Sequence, residues 1–130
     1  MFCQIISGAL PTAKVFEDAT TVAFLPLEPA TEGHVLVVPK RHSRNLFDIA
    51  DRDLTDVIRV TKTIALRQRE RLACEGVSLF QANEPAGFQT VFHFHLHVVP
   101  RWKGDRVREA WHAQPVDPAE LERIASRLRD

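Results

Sequence analysis

Cysteine is scarce in this 130-residue chain: only Cys3 and Cys74 occur. Two cysteines do not make a disulfide framework, and the expected setting is a reducing cytoplasm. Net charge is lacking as well, with 17 basic residues balanced by 17 acidic ones. A neutral chain has no general pull toward nucleic acid or an anionic membrane, so an anionic ligand must be small and held by a local site. No apolar run approaches the length of a membrane span, and Met1-Phe2-Cys3-Gln4 lacks the basic start of a signal peptide. There is no glycine-rich phosphate loop of the Walker type, which argues against that class of nucleoside triphosphatase. Repeats, low-complexity tracts and linkers are also absent, so residues 1–130 are expected to form one domain. A hydrophobic content of 45% supplies a core, and 26% charged residues suits a globular chain.

The hydrophobic pattern outlines the elements. Phe2 to Ile6 is a short apolar start, closed by Ser7-Gly8 and Pro11. Lys14–Glu17 and Thr21–Leu25 read as strands around an Asp18-Ala19-Thr20 turn, and His34–Pro39 is a third, β-branched strand. From about Asp51 to Ala73 the period becomes helical, with Leu54, Ile58, Thr61, Ile64, Ala65 and Leu72 forming the expected buried stripe. Asp51 is the expected N-cap and Gly76 follows the end. Val77–Ala82 is a fourth strand and Gln89–Pro100 a fifth, joined by a loop carrying Asn83, Pro85 and Gly87. Asp117-Pro118 opens a C-terminal helix, with proline in its first turn. These elements predict an α+β domain around a five-stranded antiparallel sheet, with one long helix and a terminal helix.

The most informative run is Phe92-His93-Phe94-His95-Leu96-His97-Val98-Val99, which holds half of the six histidines. Strand side chains alternate between faces. His93, His95 and His97 are therefore expected on one face, with Phe92, Phe94, Leu96 and Val98 anchoring the other. Three readings compete. The histidines are structural, although a row of unsatisfied buried imidazoles is costly. They bind a metal, since two histidines two apart on a strand can chelate zinc, while a third in the row lies too far along to close a tetrahedron easily. Or one of them is the nucleophile of phosphoryl or nucleotidyl transfer. Gln89 and Thr90 lie just upstream and can donate hydrogen bonds to phosphate, and the loop from Asn83 to Gly87 lets backbone approach a ligand.

The segment from Gln89 to Val99 resembles the signature of the histidine-triad (HIT) superfamily, three histidines alternating with apolar residues after an upstream glutamine. Val15-Phe16-Glu17-Asp18 is similar to the family's first strand. The run Gly33-His34-Val35-Leu36-Val37-Val38-Pro39-Lys40-Arg41-His42 resembles its third-strand segment, and Asn83-Glu84 its nucleotide-loop asparagine. The resemblance covers nearly the whole chain. It implies a dimeric α+β fold with the sheet continued across the homodimer, and chemistry at the α-phosphate of a nucleotide. It makes His95 the nucleophile, His97 the phosphate-binding third histidine, Gln89 and Thr90 phosphate contacts, and His34 a supporting histidine. Asn83 becomes a phosphate- or ribose-side contact. Phe2, Ile5, Leu10, Phe24 and Leu27 become the apolar cleft around the base, although plain core packing explains any one of them as well. A histidine at 97, where transferase branches carry glutamine, favours a hydrolase.

Two departures from the family pattern stand out. An acidic residue that binds the ribose hydroxyls is replaced by Pro26, which offers no side-chain acceptor. Many bacterial relatives also close a structural zinc site with Cys-x-x-Cys and two histidines. Here only Cys3, His42 and His93 match it, whereas structural zinc normally takes four protein ligands. No cofactor is expected to be required. Cys74 reads as a small buried residue at a helix end. Trp102 and Trp111 lie in the variable segment from about 101 to 130 and read as packing or as selectivity residues. Arg101, Lys103 and Arg106 form a basic cluster, read foremost as a solvated turn and otherwise as groups facing a leaving group. The expectation is a cytoplasmic nucleotide hydrolase, acting on nucleoside phosphoramidates or dinucleoside polyphosphates without nucleic-acid or membrane partners. The alternative is a non-catalytic HIT-fold protein that binds a nucleotide or a partner protein.

Overall fold

In a computed structural model, which describes residues 1–108 and 113–129, two apolar layers sandwich one sheet. The strands are β1 (Lys14–Glu17), β2 (Thr21–Phe24), β3 (Val35–Pro39), β4 (Gly76–Phe80) and β5 (Leu96–Arg101). They pair antiparallel throughout in the order β1-β2-β3-β5-β4. The helices are α1 (Phe2–Ser7), α2 (Asp51–Leu72) and α3 (Pro118–Leu128). The fold is the expected α+β architecture. Among the described residues, no helix is long and apolar enough to cross a membrane. Trp111 lies outside the described residues.

Strands β2 and β3 are buried on both faces, and alternation divides their side chains. Ala23, Val35 and Val37, with Leu96 and Val98 of β5, pack against Val57, Val60 and Ile64 of α2. Val22, Phe24, Leu36 and Val38 face the other way, onto Phe2 and Ile5 of α1. The apolar start of the chain is thus a helix whose two large side chains cover the second face. The turn before β2 is held by Asp18, whose Oδ1 accepts from the amides of Thr20 and Thr21, both at 2.9 Å.

Helix α2 corrects three expectations. Its N-cap is Ala50, with Asp51 and Asp53 in the first turn, where a carboxylate favours the positive end of the helix dipole. It ends at Ala73, which adopts the left-handed cap conformation at φ 53°; Gly76 instead begins β4. The buried stripe runs through Val57, Val60, Thr61, Ile64 and Gln68, and Ile58 is half exposed. Gln68 reaches across the stripe and donates to the carbonyls of Gly33 and Val98, both at 3.0 Å. Gly33 has φ +84°, and a Cβ there would meet Leu72 Cδ1 at 2.2 Å. The positive φ favours glycine where the chain passes into His34 and β3, and any Cβ there would displace the end of the Leu72 side chain.

The fifth strand is shorter than expected. Regular pairing starts at Leu96, opposite Val37. Upstream, the Phe94 amide donates to the Ser43 carbonyl at 2.8 Å, in the loop before α2, rather than to a strand partner. Phe94, Leu96 and Val98 still point into the core. Phe92 does not: it is 39% exposed, with the Arg44 guanidinium 4.3 Å over its ring. Beyond β5, Arg101 forks onto Asp105 at 2.7 and 3.0 Å, Trp102 Nε1 donates to the Ala73 carbonyl at 3.2 Å, and Lys103 and Arg106 are exposed. Cys74 is buried just after α2. Helix α3 is capped by Asp117, whose Oδ1 accepts from the Ala119 amide at 2.9 Å, and has no buried residue.

Candidate active site

A cleft of about 400 Å³ opens between α1, the end of β2 with the loop that follows it, and the segment leading into β5. Phe2, Ile5, Leu10, Phe24 and Leu27 all line it, as do Thr90, His95 and His97. Phe2, Ile5 and Phe24 serve the cleft and the core at once, because the second apolar layer is also the cleft floor. Leu27 is fully exposed at the rim. Pro26 lines the cleft at the position in question, while Glu28, two residues on, brings a carboxylate to it. No lysine or arginine among the described residues lines the cleft. A bound phosphate there would be held by neutral donors, such as the Thr90 hydroxyl and an imidazole N–H.

Hydrogen bonds fix which nitrogen of each histidine carries the proton. A carbonyl only accepts, so His95 Nδ1, 2.8 Å from the His93 carbonyl, is the protonated nitrogen. That leaves the lone pair on His95 Nε2. A backbone amide only donates, so His34 Nδ1, 2.9 Å from the Ala30 amide, is an acceptor and His34 Nε2 carries its proton. His34 Nε2 then donates to His97 Nδ1 at 2.9 Å, which puts the His97 proton on Nε2. Neighbouring imidazoles thus carry opposite roles: His95 offers an acceptor lone pair at Nε2, and His97 a donor. Their ring centroids are 5.1 Å apart. The Phe2 ring stands edge-on to His95 at 5.1 Å.

Electrostatics keep this arrangement neutral. Burial lowers the pKa of His95, opposed by the bond to the His93 carbonyl. Burial also lowers His34. Burial, then the nearby His95 and His34, push His97 down to about 4.

Two expected contacts sit elsewhere. Gln89 is buried, but its amide is fully engaged away from the cleft. It donates to the carbonyls of Arg44 and Val91 at 2.7 and 3.0 Å, and accepts from Asn45 Nδ2 and the Glu84 amide at 3.1 and 2.8 Å. With both donors and both acceptor sites used, Gln89 braces the loop ahead of Thr90. Asn83 is likewise occupied, accepting from the Leu46 amide at 2.7 Å and exchanging bonds with Gln81 at 2.7 and 2.8 Å. His34 stands behind His97. The Ala30 amide, which sets the tautomers of His34 and His97, left no trace in the sequence, because every residue but proline carries one.

Cys3, His42 and His93 converge beside the cleft. His93 Nε2 donates to the Pro39 carbonyl at 2.8 Å, so its Nδ1 lone pair faces the other two donors. Cys3 Sγ lies 3.6 Å from His93 Nδ1 and 3.9 Å from His42 Nδ1, and the two nitrogens are 3.2 Å apart. A tetrahedral zinc with ordinary bond lengths requires roughly 3.5 Å between sulfur and nitrogen and roughly 3.3 Å between nitrogens. The three donors therefore fit zinc better than their number suggested. A metal held by them would crosslink α1, the loop after β3 and the histidine segment. The same His93 supplies the carbonyl that orients His95.

The HIT domain family matches residues 7–104. Protein hit of Bacillus subtilis is 36% identical over 131 residues, covering 98% of this chain and 90% of that protein. A Candida albicans protein named adenosine 5'-monophosphoramidase HNT1 is 32% identical over 135 residues, covering all of this chain and 89% of that one. The crystal structure of SMU.412c from Streptococcus mutans superposes with a TM-score of 0.93 at 33% identity, over 98% of this chain and 82% of that one. The chain belongs to the HIT family.

Proposed function

We propose that this protein is a nucleotide hydrolase that works through a nucleotidyl-histidine intermediate on His95. The observation that carries the reading is the paired tautomers, a lone pair on His95 Nε2 beside an N–H on His97 Nε2. His95 Nε2 attacks the α-phosphorus, and the bond to the leaving amine or polyphosphate breaks with its electron pair on the leaving group. His97 and Thr90 donate to the phosphoryl oxygens as charge develops. Water then attacks phosphorus, cleaves the bond to Nε2 and releases the nucleoside monophosphate. In net, water supplies a hydroxyl to phosphorus and a proton to the leaving group. Phe2, Ile5, Leu10, Phe24 and Leu27 hold the base. The substrates are nucleoside phosphoramidates or dinucleoside polyphosphates; the adenosine monophosphoramidase name of the Candida albicans relative supports the first of these.

We also propose a cytoplasmic homodimer. β4 is an edge strand with half-exposed Leu79, and α2 exposes Ile58 and Leu66. A two-fold axis through that edge would continue the sheet and cover this apolar surface.

The test is hydrolysis of a fluorogenic adenosine phosphoramidate by wild type and His95→Ala. Loss of turnover with an unchanged circular dichroism spectrum, and an adenylyl adduct trapped by an alkaline quench on wild type alone, are the expected results. Undiminished turnover in the variant would remove His95 as the nucleophile. Nucleotide binding without turnover in wild type would favour the non-catalytic reading.

A further inference from the structure

Phe88 bears a conformational cost that the fold does not repay. Its backbone sits at φ 73° and ψ 22° in the left-handed region, where the Cβ of a bulky residue crowds the neighbouring carbonyl. The residue is 79% exposed and belongs to neither apolar layer. Four residues earlier, Glu84 lies at φ 65° and ψ 161°, a conformation almost reserved for glycine. There the cost is met. Arg44 forks onto the Glu84 carboxylate at 2.8 and 2.9 Å, Asn45 Nδ2 donates to it at 2.5 Å, and the Glu84 amide is held by Gln89. The Phe88 amide itself donates to the Pro85 carbonyl at 3.0 Å. A well-braced loop therefore holds a phenyl ring outside the core, and that ring lines the cleft with Thr90, His95 and His97.

The base already has its apolar floor on the α1 side, in Phe2, Ile5 and Phe24. Phe88 enters from a different wall, two residues ahead of Thr90, near the reacting groups and open to solvent. We propose that Phe88 is a specificity-determining residue, an aromatic platform at the cleft mouth that stacks on a planar ring carried by the leaving group. The ring is either the second nucleobase of a dinucleoside polyphosphate or an aromatic amine released from a phosphoramidate. The assignment rests on the proposed attack by His95.

Two matched pairs of substrates test it. One is diadenosine tetraphosphate against adenosine 5′-tetraphosphate. The other is the adenosine phosphoramidate of benzylamine against that of cyclohexylmethylamine. Wild type should favour the aromatic member of at least one pair by about fivefold or more in kcat/KM, the scale of base–aromatic stacking; the pair that shows it identifies the leaving group. Phe88→Leu and Phe88→Ala should bring that ratio toward one, and Phe88→Trp should keep it. Phe88→Gly should melt no lower than wild type, because the ring holds nothing in the core. A ratio unchanged in Phe88→Leu, a wild-type ratio of one in both pairs, or a marked loss of melting temperature in Phe88→Gly would overturn the platform and leave the hydrolase reading standing. A wild type inactive on all four compounds, with no adduct on His95, would overturn both.

Discussion

His34 Nε2 donates to His97 Nδ1 at 2.9 Å, and through that one bond the Ala30 amide determines which face of His97 presents a proton to the cleft. Removing His34 leaves His97 Nδ1 buried without a donor and frees its tautomer. An unsatisfied buried acceptor costs about 1–3 kcal/mol. His34→Ala should therefore lower kcat by roughly tenfold to a hundredfold, with a smaller change in KM, because the base-binding side chains are untouched. His34→Gln, whose amide can donate to Nδ1, should recover part of the loss. Steady-state kinetics on the three proteins decide; equal kcat in His34→Ala and wild type would show that the relay does not matter.

The low pKa of His97 makes a stability prediction. It is held near 4 in the folded protein, against about 6.5 in an unfolded chain. Between those values the unfolded state binds more protons than the folded one, so stability falls as pH falls from about 6.5 toward 4. Burial lowers His34 and adds to the effect. The urea midpoint should thus drop between pH 7 and pH 5, and His97→Gln should drop less. Parallel pH dependence in the two proteins would contradict the assignment.

Pro26 lines the cleft without a side-chain acceptor. Pro26→Asp adds a carboxylate able to accept from ribose hydroxyls, and hydrogen bonds to a charged group contribute about 1.5–3 kcal/mol. Some of that is lost as the chain gains the freedom that proline had removed. AMP should bind several-fold more tightly, while 2′,3′-dideoxy-AMP should gain nothing. Calorimetric titration of both ligands into both proteins checks this. Equal gains for the two ligands would mean that the new carboxylate does not contact ribose.

The donor spacing at Cys3, His42 and His93 predicts one zinc per chain. Plasma emission spectrometry of protein dialysed against zinc should give that ratio, and Cys3→Ser should lower it sharply. Chelation should lower the melting temperature, because the metal would tie α1 to the loop after β3. Turnover by the chelated, still-folded protein should persist, since the nucleophile and the phosphate donors are protein groups. Abolition of turnover by chelation and its recovery with zinc would assign the metal a part in the chemistry.

The sequence by itself determined a good deal. Alternation in the histidine run set Phe92, Phe94, Leu96 and Val98 against His93, His95 and His97. Phe94, Leu96 and Val98 reach the core and His95 and His97 line the cleft, whereas Phe92 leaves the core and His93 is outside the cleft lining, in a segment before Leu96 that is not a regular strand. Helical period located α2, and Asp117-Pro118 located α3, because caps and periodicity are local signals. The placement of Ile58 on the exposed face was beyond that reach, since a stripe of apolar residues does not say where its edge meets the sheet. The burial of Phe2 and Ile5 as a helix likewise depends on an apolar sheet face contributed by residues 22–38.

What only the tertiary structure decided is which atoms carry protons and which polar side chains are free. His34, His95 and His97 owe their tautomers to the Ala30 amide and the His93 carbonyl. Gln89 has a phosphate-binding composition but spends all its hydrogen bonds on Arg44, Asn45, Glu84 and Val91. The left-handed backbone of Phe88 is fixed by a loop braced from Arg44 and Asn45, some forty residues away. Composition and period record the kind of side chain and the face it takes. Hydrogen-bond partners across long loops are mostly backbone groups that every residue carries, so they become distinct only when folding brings one particular amide or carbonyl within 3 Å.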